Sequence, residues 1–152
     1  MPSQKLRLDD QLCFALYAAT NTVTRAYKPK LAKFGVTYPQ YLVLLVLWQD
    51  GSRTIKQIAN RLKLPPNGIT PLLDRLELAG FLVRQRDAND RRMIHIHLTL
   101  SGLALEEEAA QAQHSVVCET QLQSDALGAL RETLRALVAA MEIPEPVLED
   151  SR

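Results

Sequence analysis

The sequence predicts a mainly α-helical protein with one small β-hairpin, arranged as a winged helix-turn-helix. Three observations carry this. Apolar residues recur at helical spacing in most of the chain. Two of the helical segments are joined by the breaker Leu64-Pro65-Pro66-Asn67-Gly68, as in a helix-turn-helix. Directly after them, two alternating stretches flank a polar, turn-rich loop.

The elements follow in order. The stretch Leu8 to Tyr27, LDDQLCFALYAATNTVTRAY, reads as one amphipathic helix with Asp9 or Asp10 as N-cap, ending before Pro29. A short apolar piece, Pro29 to Phe34, runs into Gly35. Thr37-Tyr38-Pro39 starts a second helix, with Pro39 in its first turn. This helix is apolar nearly all round, so it belongs at the centre of the domain, with Tyr41 and Trp48 in the core, and Asp50-Gly51 stops it. Thr54 caps a third helix, in which Ile55, Ile58, Ala59 and Leu62 make one stripe. A fourth, about Asn67 to Ala79, turns Ile69, Leu72, Leu73 and Leu76 inward and ends at Gly80. Phe81 to Arg86 and Met93 to Thr99 alternate as strands of a hairpin, with Ile94, Ile96 and Leu98 on one face. Ser101-Gly102 leads into a long helix to about Gln123. A last helix starts near Ser124 and carries Leu127, Leu130, Leu134, Leu137, Val138 and Met141.

A chain of 152 residues with 47% hydrophobic residues can bury a real core, and a single domain over 1–152 is expected. The N-terminus lacks a signal-peptide core, and the longest apolar run, Tyr41 to Trp48, is too short to span a bilayer. A cytoplasmic protein without membrane contact is therefore expected. Charge is unevenly placed. Residues 1–52 carry six Lys/Arg against three Asp/Glu, residues 53–92 nine against four, and residues 93–152 three against ten. A basic centre suggests a polyanion-binding middle. Two cysteines are not a disulfide scaffold; each is a buried small hydrophobe or a redox centre. No glycine loop cradles phosphate and no acid and base are paired for hydrolysis, so neither a cofactor nor an enzyme is expected. His95 and His97 share a strand face at metal-binding spacing, but with no further ligand nearby they read as surface histidines.

Double-stranded DNA is the partner that the constellation suggests. A major groove admits one helix and is read by its first turns. Arginines on a protruding hairpin can enter the minor groove or bind phosphate. The candidates are Asn67, Thr70 and Arg75 on the fourth helix, Arg84 and Arg86 on the first strand, and Arg91 and Arg92 at the hairpin tip. Asp74, on the same helix, argues against a phosphate contact there. Many winged helices bind proteins instead; the basic tip favours DNA.

The run LTLSG after a wing containing RDANDRR resembles the MarR family of dimeric bacterial repressors. The strings LDDQLCFALYAA, RAYKPKL and VTYPQYLVLLVLW resemble its organic hydroperoxide regulator branch, OhrR, from about Leu8 to Leu100, and the last two helices match only in pattern. The resemblance implies a peroxide-sensing repressor with a MarR-like dimeric architecture. Its dimerisation helices would be about 8–34 and 101–142, its winged helix-turn-helix core about 37–100, and its tail, 143–152, short and acidic. The resemblance puts the peroxidatic cysteine on Cys13 and the two tyrosines that hydrogen-bond it on Tyr27 and Tyr38. It pairs Asp90 with Arg92 in the wing, and places a resolving cysteine of the two-cysteine type at Cys118. The chain departs from the branch at Pro65-Pro66-Asn67-Gly68, where relatives commonly have a Ser- or Thr-containing turn, and this bears on base preference.

Helical geometry gives the thiol a constraint. Cys13, Tyr17, Thr20, Thr24 and Tyr27 fall in one narrow sector. Yet fourteen residues at about 1.5 Å each put about 21 Å between Cys13 and Tyr27. If Tyr27 touches a thiol, that thiol is on another chain, which favours a homodimer with antiparallel first helices. The thiolate is the species a peroxide oxidises, and first-turn amides favour its charge. Leu12, Phe14, Leu16 and the second helix would form an apolar pocket suited to an organic hydroperoxide. Oxidation of Cys13, resolution by Cys118 of the partner and release of operator DNA would follow. Two other readings stand beside this: a MarR-like repressor released by a small phenolic or aromatic ligand, and a thiol peroxidase.

Overall fold

The computed structural model describes residues 5–142; the expected acidic tail 143–152 lies outside them. The elements are α1 (Leu12–Ala32), α2 (Tyr38–Asp50), β1 (Arg53–Thr54), α3 (Ile55–Leu62), α4 (Pro66–Leu78), β2 (Leu82–Arg86), β3 (Ile94–Leu98), α5 (Leu100–Glu119) and α6 (Ser124–Met141). The three strands form an antiparallel sheet in the order β1-β3-β2, with Arg84 opposite Ile96 and Arg53 on its other side. This is the mainly α, winged helix-turn-helix architecture expected. The chain divides after Val116 into two compact units.

The first unit is built around α2. Thr37 opens that helix with a capping box: its hydroxyl accepts from the Gln40 amide, and the Gln40 side chain accepts from the Thr37 amide. Gly51, at φ 76°, ends it. Val43, Leu44, Val46 and Leu47 are buried on successive faces, and α1, α3, α4 and β3 all pack on α2. Thr54 and Gln57 repeat the capping box at α3. Ile58, Ile69, Leu73, Leu76, Leu82 and Ile96 complete the interior.

Three boundaries differ from the sequence reading, each for a local reason. Asp9 and Asp10 do not cap α1. They sit in a single 3-10 turn, Leu8–Asp10, and Gln11 is the N-cap without a side-chain cap bond. The helix does not stop before Pro29 but runs through it to Ala32. Proline removes one backbone hydrogen bond there, and burial of Tyr27 and Leu31 on either side holds the turn in place. Finally, α5 ends at Glu119, short of Gln123. The Thr120 hydroxyl donates to the Val117 carbonyl, and Gln121 takes φ 58°, which turns the chain. Strand β1, two residues long, carries too little pattern to be read from sequence.

In the second unit, α6 has no buried residue. Leu130, Leu134, Val138 and Met141 stand exposed along one stripe. Among the described residues, no helix is long and apolar enough to cross a membrane.

The LTLSG run has a structural role. The Thr99 amide donates to the Phe81 carbonyl, and its hydroxyl donates to the Gly80 carbonyl and accepts from the Gly102 amide. The Trp48 indole donates to the Gly102 carbonyl at 2.9 Å. These bonds knit the end of α4, the root of the wing, the start of α5 and α2 into one joint. A Cβ on Gly102 would lie inside the van der Waals envelope of the Phe81 carbonyl. Gly102→Ala is therefore expected to lower stability by about 2 kcal/mol through overpacking, seen as a lower urea midpoint at unchanged slope. An unchanged midpoint would show that this joint tolerates expansion.

Candidate functional site

The chain presents two groups of candidate residues, one on the winged helix-turn-helix and one at the ends of α1. On α4, Asn67, Thr70 and Arg75 are all exposed. The helix begins at Pro66 with Pro65 as N-cap and no side-chain cap, so no side chain competes for its first amides. Such amides favour an anion.

The wing arginines divide into two kinds. Arg84 is turned onto α4. Its guanidinium donates to Asp74 and, at 3.1 Å, to Glu77, and its side chain is only 23% exposed. Asp74 is thus a brace between wing and helix. Arg86 donates to the Arg91 carbonyl at 2.8 Å, closing the hairpin loop from within. Arg91 is exposed. Arg92 is 92% exposed and forms the Asp90 pair at 3.2 Å, with its own amide also donating to Asp90. Asp90 therefore fixes both the backbone and the side chain of the outermost arginine.

A second carboxylate shapes the same loop. Asp87 accepts from the Asn89 and Asp90 amides with one oxygen and meets His95 Nε2 at 2.9 Å with the other. The two amides, then the histidine, hold its carboxyl below the usual carboxylate range. Sequence reading found no acid near His95; the fold of the loop brings Asp87 there. His97 bonds the Ser52 hydroxyl instead. Among the described residues, no group of three ligand-type side chains could hold a metal ion.

The second group starts at Cys13, the second residue of α1, in the first turn where helix amides are unpaired. It is exposed, and so are Leu12, Phe14 and Tyr17 beside it. The apolar pocket expected around the thiol is not formed within one chain, because α2 is spent on the core. Tyr27 lies on the same helix, about 21 Å away by helical rise, and is buried. Its ring is 5.2 Å from Tyr38 and 5.4 Å from Tyr41, with Tyr38 and Tyr41 5.9 Å apart. The structure thus brings Tyr27 and Tyr38 together and keeps Cys13 of the same chain out of reach of both.

Tyr41 is the residue that sequence reading left in the core. It stands three positions after Tyr38, on the same helix face, and this spacing was the available signal. All three phenols are pushed above the ordinary tyrosine value, chiefly by burial, and Tyr27 further by its two tyrosine neighbours. They remain proton donors at neutral pH. Tyr38 keeps more exposed surface than the other two. Cys118 is in the last turn of α5, exposed.

The MarR family signature matches residues 36–94, from the connection between α1 and α2 to the first residue of β3. The chain is 42% identical over 144 residues to the transcriptional regulator TtmR of Methylorubrum extorquens, spanning 90% of this chain and 74% of that one. It is 36% identical over 136 residues to the organic hydroperoxide resistance transcriptional regulator of Bacillus subtilis, spanning 90% and 92%. Among solved structures it is similar to AbfR, a protein known from Staphylococcus epidermidis. Reduced AbfR bound to DNA superposes with TM-score 0.77 at 35% identity, covering 93% of this chain and 100% of that one. Disulfide-formed AbfR gives 0.65 at 37%, covering 88% and 93%.

The two kinds of wing arginine predict different salt behaviour on duplex DNA. Arg92→Gln should weaken binding and flatten the plot of log affinity against log salt by about 0.9 per wing, as one phosphate contact is lost. Arg84→Gln should weaken binding at unchanged slope, because it frees the wing from α4 without removing a phosphate contact. An equal loss of slope in both would show that Arg84 reaches the backbone too.

Proposed function

The chain belongs to the MarR family of DNA-binding transcriptional regulators, and from that premise we propose that it is a peroxide-sensing repressor of the organic hydroperoxide (OhrR) branch. One observation carries the reading. Tyr27, which packs with Tyr38 and Tyr41 of α2, lies on the same helix as Cys13 but too far along it to meet the thiol, so each half of the site is incomplete in one chain. A homodimer with antiparallel α1 helices completes both, placing the partner's Cys13 beside Tyr27 and Tyr38. The exposed stripe of α6 and the exposed Leu12, Phe14 and Tyr17 are apolar surface of the kind that such a dimer buries. The named relatives from Bacillus subtilis and Staphylococcus epidermidis support the same reading by similarity.

In this reading the structural parts take the following roles. Cys13, at a helix N-terminus and facing protonated phenols, is the nucleophile, and its thiolate is the species that reacts. Tyr38 donates to it from its exposed edge, and Tyr27 donates beside it. The thiolate attacks the terminal oxygen of an organic hydroperoxide. The O–O bond breaks, the alcohol leaves with a proton, and Cys13 becomes a sulfenic acid. The Cys118 thiol of the partner attacks that sulfur, forming a two-cysteine disulfide, and its proton leaves with the sulfenic hydroxyl as water. Forming this bond moves α1 and α5, which carry the DNA-binding lobes, away from the spacing of about 34 Å that two successive major grooves require. Operator DNA, held in the reduced state by Asn67, Thr70, Arg75, Arg91 and Arg92, is released. Arg84 and Arg86 brace the wing, and Asp90 aims Arg92. The protein acts in the cytoplasm.

The test is direct. One equivalent of cumene hydroperoxide should convert the purified protein to a cross-linked dimer on a non-reducing denaturing gel, reversed by dithiothreitol. Neither Cys13→Ser nor Cys118→Ser should give that band, and Cys13→Ser should keep DNA bound after treatment. Both thiols unmodified by mass after treatment would overturn the sensor and leave a repressor released by a small ligand.

A further inference from the structure

The outer face of the wing sheet carries two imidazoles that neither DNA binding nor the sensor uses. His95 and His97 alternate on β3, and their ring centroids are 6.4 Å apart. The register sets their surroundings. His95 lies between Thr54 of β1 and Gln85 of β2, and His97 is opposite Val83 of β2. Arg53 and Arg84 stand opposite Ile96, and Arg86 opposite Ile94. Side chains alternate across a sheet, so these arginines belong to the other face. Among the described strand residues, those paired with the two histidines are all uncharged. Each ring also has one nitrogen already engaged. His95 Nε2 meets the Asp87 carboxylate at 2.9 Å, which keeps the proton of the neutral ring on that nitrogen and leaves Nδ1 with its lone pair. His97 Nδ1 bonds the Ser52 hydroxyl, which leaves Nε2 outside that bond. A hydrogen-bond partner on the second ring nitrogen is the outer shell that metal-bound histidines carry, because it holds the ring and selects the nitrogen that ligates.

The ring separation and the ligand set narrow the ion. An ion about 2 Å from one nitrogen of each of two imidazoles holds their centroids up to about 6.5 Å apart, the limit being a linear arrangement. The rings of His95 and His97 are set near that limit. Among the described residues, no three of His, Cys, Asp and Glu gather into a metal site. The nearby carboxylate, Asp87, is taken up by His95 and by the amides of Asn89 and Asp90. Oxygen-seeking ions and four-coordinate zinc are poorly served by two neutral nitrogens. Copper accepts imidazole, and in its monovalent state two nitrogens in line suffice. We propose that the outer face of the wing is a Cu(I) site, in which Nδ1 of His95 and Nε2 of His97 hold the ion between the two rings. Asp87 and Ser52 orient the rings from behind. Asp87 also orders the loop that carries Arg91 and Arg92, so the site lies next to the DNA-binding tip. The inference does not rest on the peroxide sensor, to which none of these residues belongs.

The experiment titrates Cu(I) into the full-length Cys13→Ser, Cys118→Ser protein, so that no thiol takes the ion. Binding is read anaerobically by competition with bicinchoninate, and the fold of each variant is checked by circular dichroism. One Cu(I) should bind per chain. His95→Gln and His97→Gln should each weaken binding by more than about tenfold, the loss that even an outer-shell partner causes. Asp87→Asn should weaken it by about tenfold through the orientation of His95. His114→Gln, on α5, should leave it unchanged. Unchanged affinity in the His95→Gln, His97→Gln double variant would overturn the site, and so would the absence of saturable Cu(I) binding. Zn(II) binding as tight as that of Cu(I), read by competition with a zinc dye, would overturn the choice of ion. With both cysteines replaced, none of these results depends on the peroxide sensor.

Discussion

Burial of α2 on nearly every side is the constraint from which the other elements take their places. A helix as apolar as Val43, Leu44, Val46 and Leu47 make it has to be surrounded, and the chain surrounds it with α1, α3, α4 and β3. Its N-terminal turn carries Tyr38 and Tyr41, which stack with Tyr27 of α1. Its last turns carry Trp48, bonded to the joint where wing and α5 meet. The tyrosine cluster and the root of the wing are therefore attached to opposite ends of the same rigid rod. Close-packed interiors transmit displacement rather than absorb it. A change at the tyrosine end has a direct mechanical path to the DNA-binding elements.

The second constraint is length. An α-helix is a ruler, and α1 is continuous from Leu12 to Ala32. It puts Cys13 and Tyr27 on one face and holds them apart. Tyr38 and Tyr41, stacked on Tyr27, are held away from the thiol with it. In the proposed sensor, a redox site assembled from these residues belongs to two chains, which would couple oxidation to quaternary arrangement. The wing follows a similar economy. Arg84 and Arg86 spend their charge on holding the hairpin to α4 and to itself, which leaves Arg91 and Arg92 at the tip with Asp90 setting the direction of the outer one.

Much of this was legible in the sequence because it rests on local chemistry. Thr37 and Thr54 mark the starts of their helices, Gly51 and Gly80 end theirs, and the inward residues of α4 follow from period alone. The misread boundaries share a different cause. Pro29 is tolerated inside α1 because Tyr27 and Leu31 are buried around it, a tertiary fact that outweighs the local penalty of proline. Asp9 and Asp10 look like caps, but the chain enters α1 through a 3-10 turn and leaves the position to Gln11. Contacts between elements were the least legible. Arg84 reads as a DNA contact until α4 places Asp74 and Glu77 against it. Asp87 reads as a turn residue until the hairpin folds it onto His95. Tyr41 reads as core, which it is, and its ring also packs against those of Tyr27 and Tyr38.

The central claim is that each sensor is made of Cys13 from one chain and the tyrosines of the other, and mixed dimers test it directly. One heterodimer joins a Cys13→Ser chain to a Tyr38→Phe chain; the other joins a wild-type chain to a chain carrying both substitutions. In the first, the remaining Cys13 faces an intact Tyr38 across the interface. In the second, the remaining Cys13 faces phenylalanine. The rate at which cumene hydroperoxide oxidises Cys13 should match the wild type in the first heterodimer and be slowed in the second. The reverse order, with the second heterodimer fast and the first slow, would place the thiol and its tyrosine in the same chain and contradict the account.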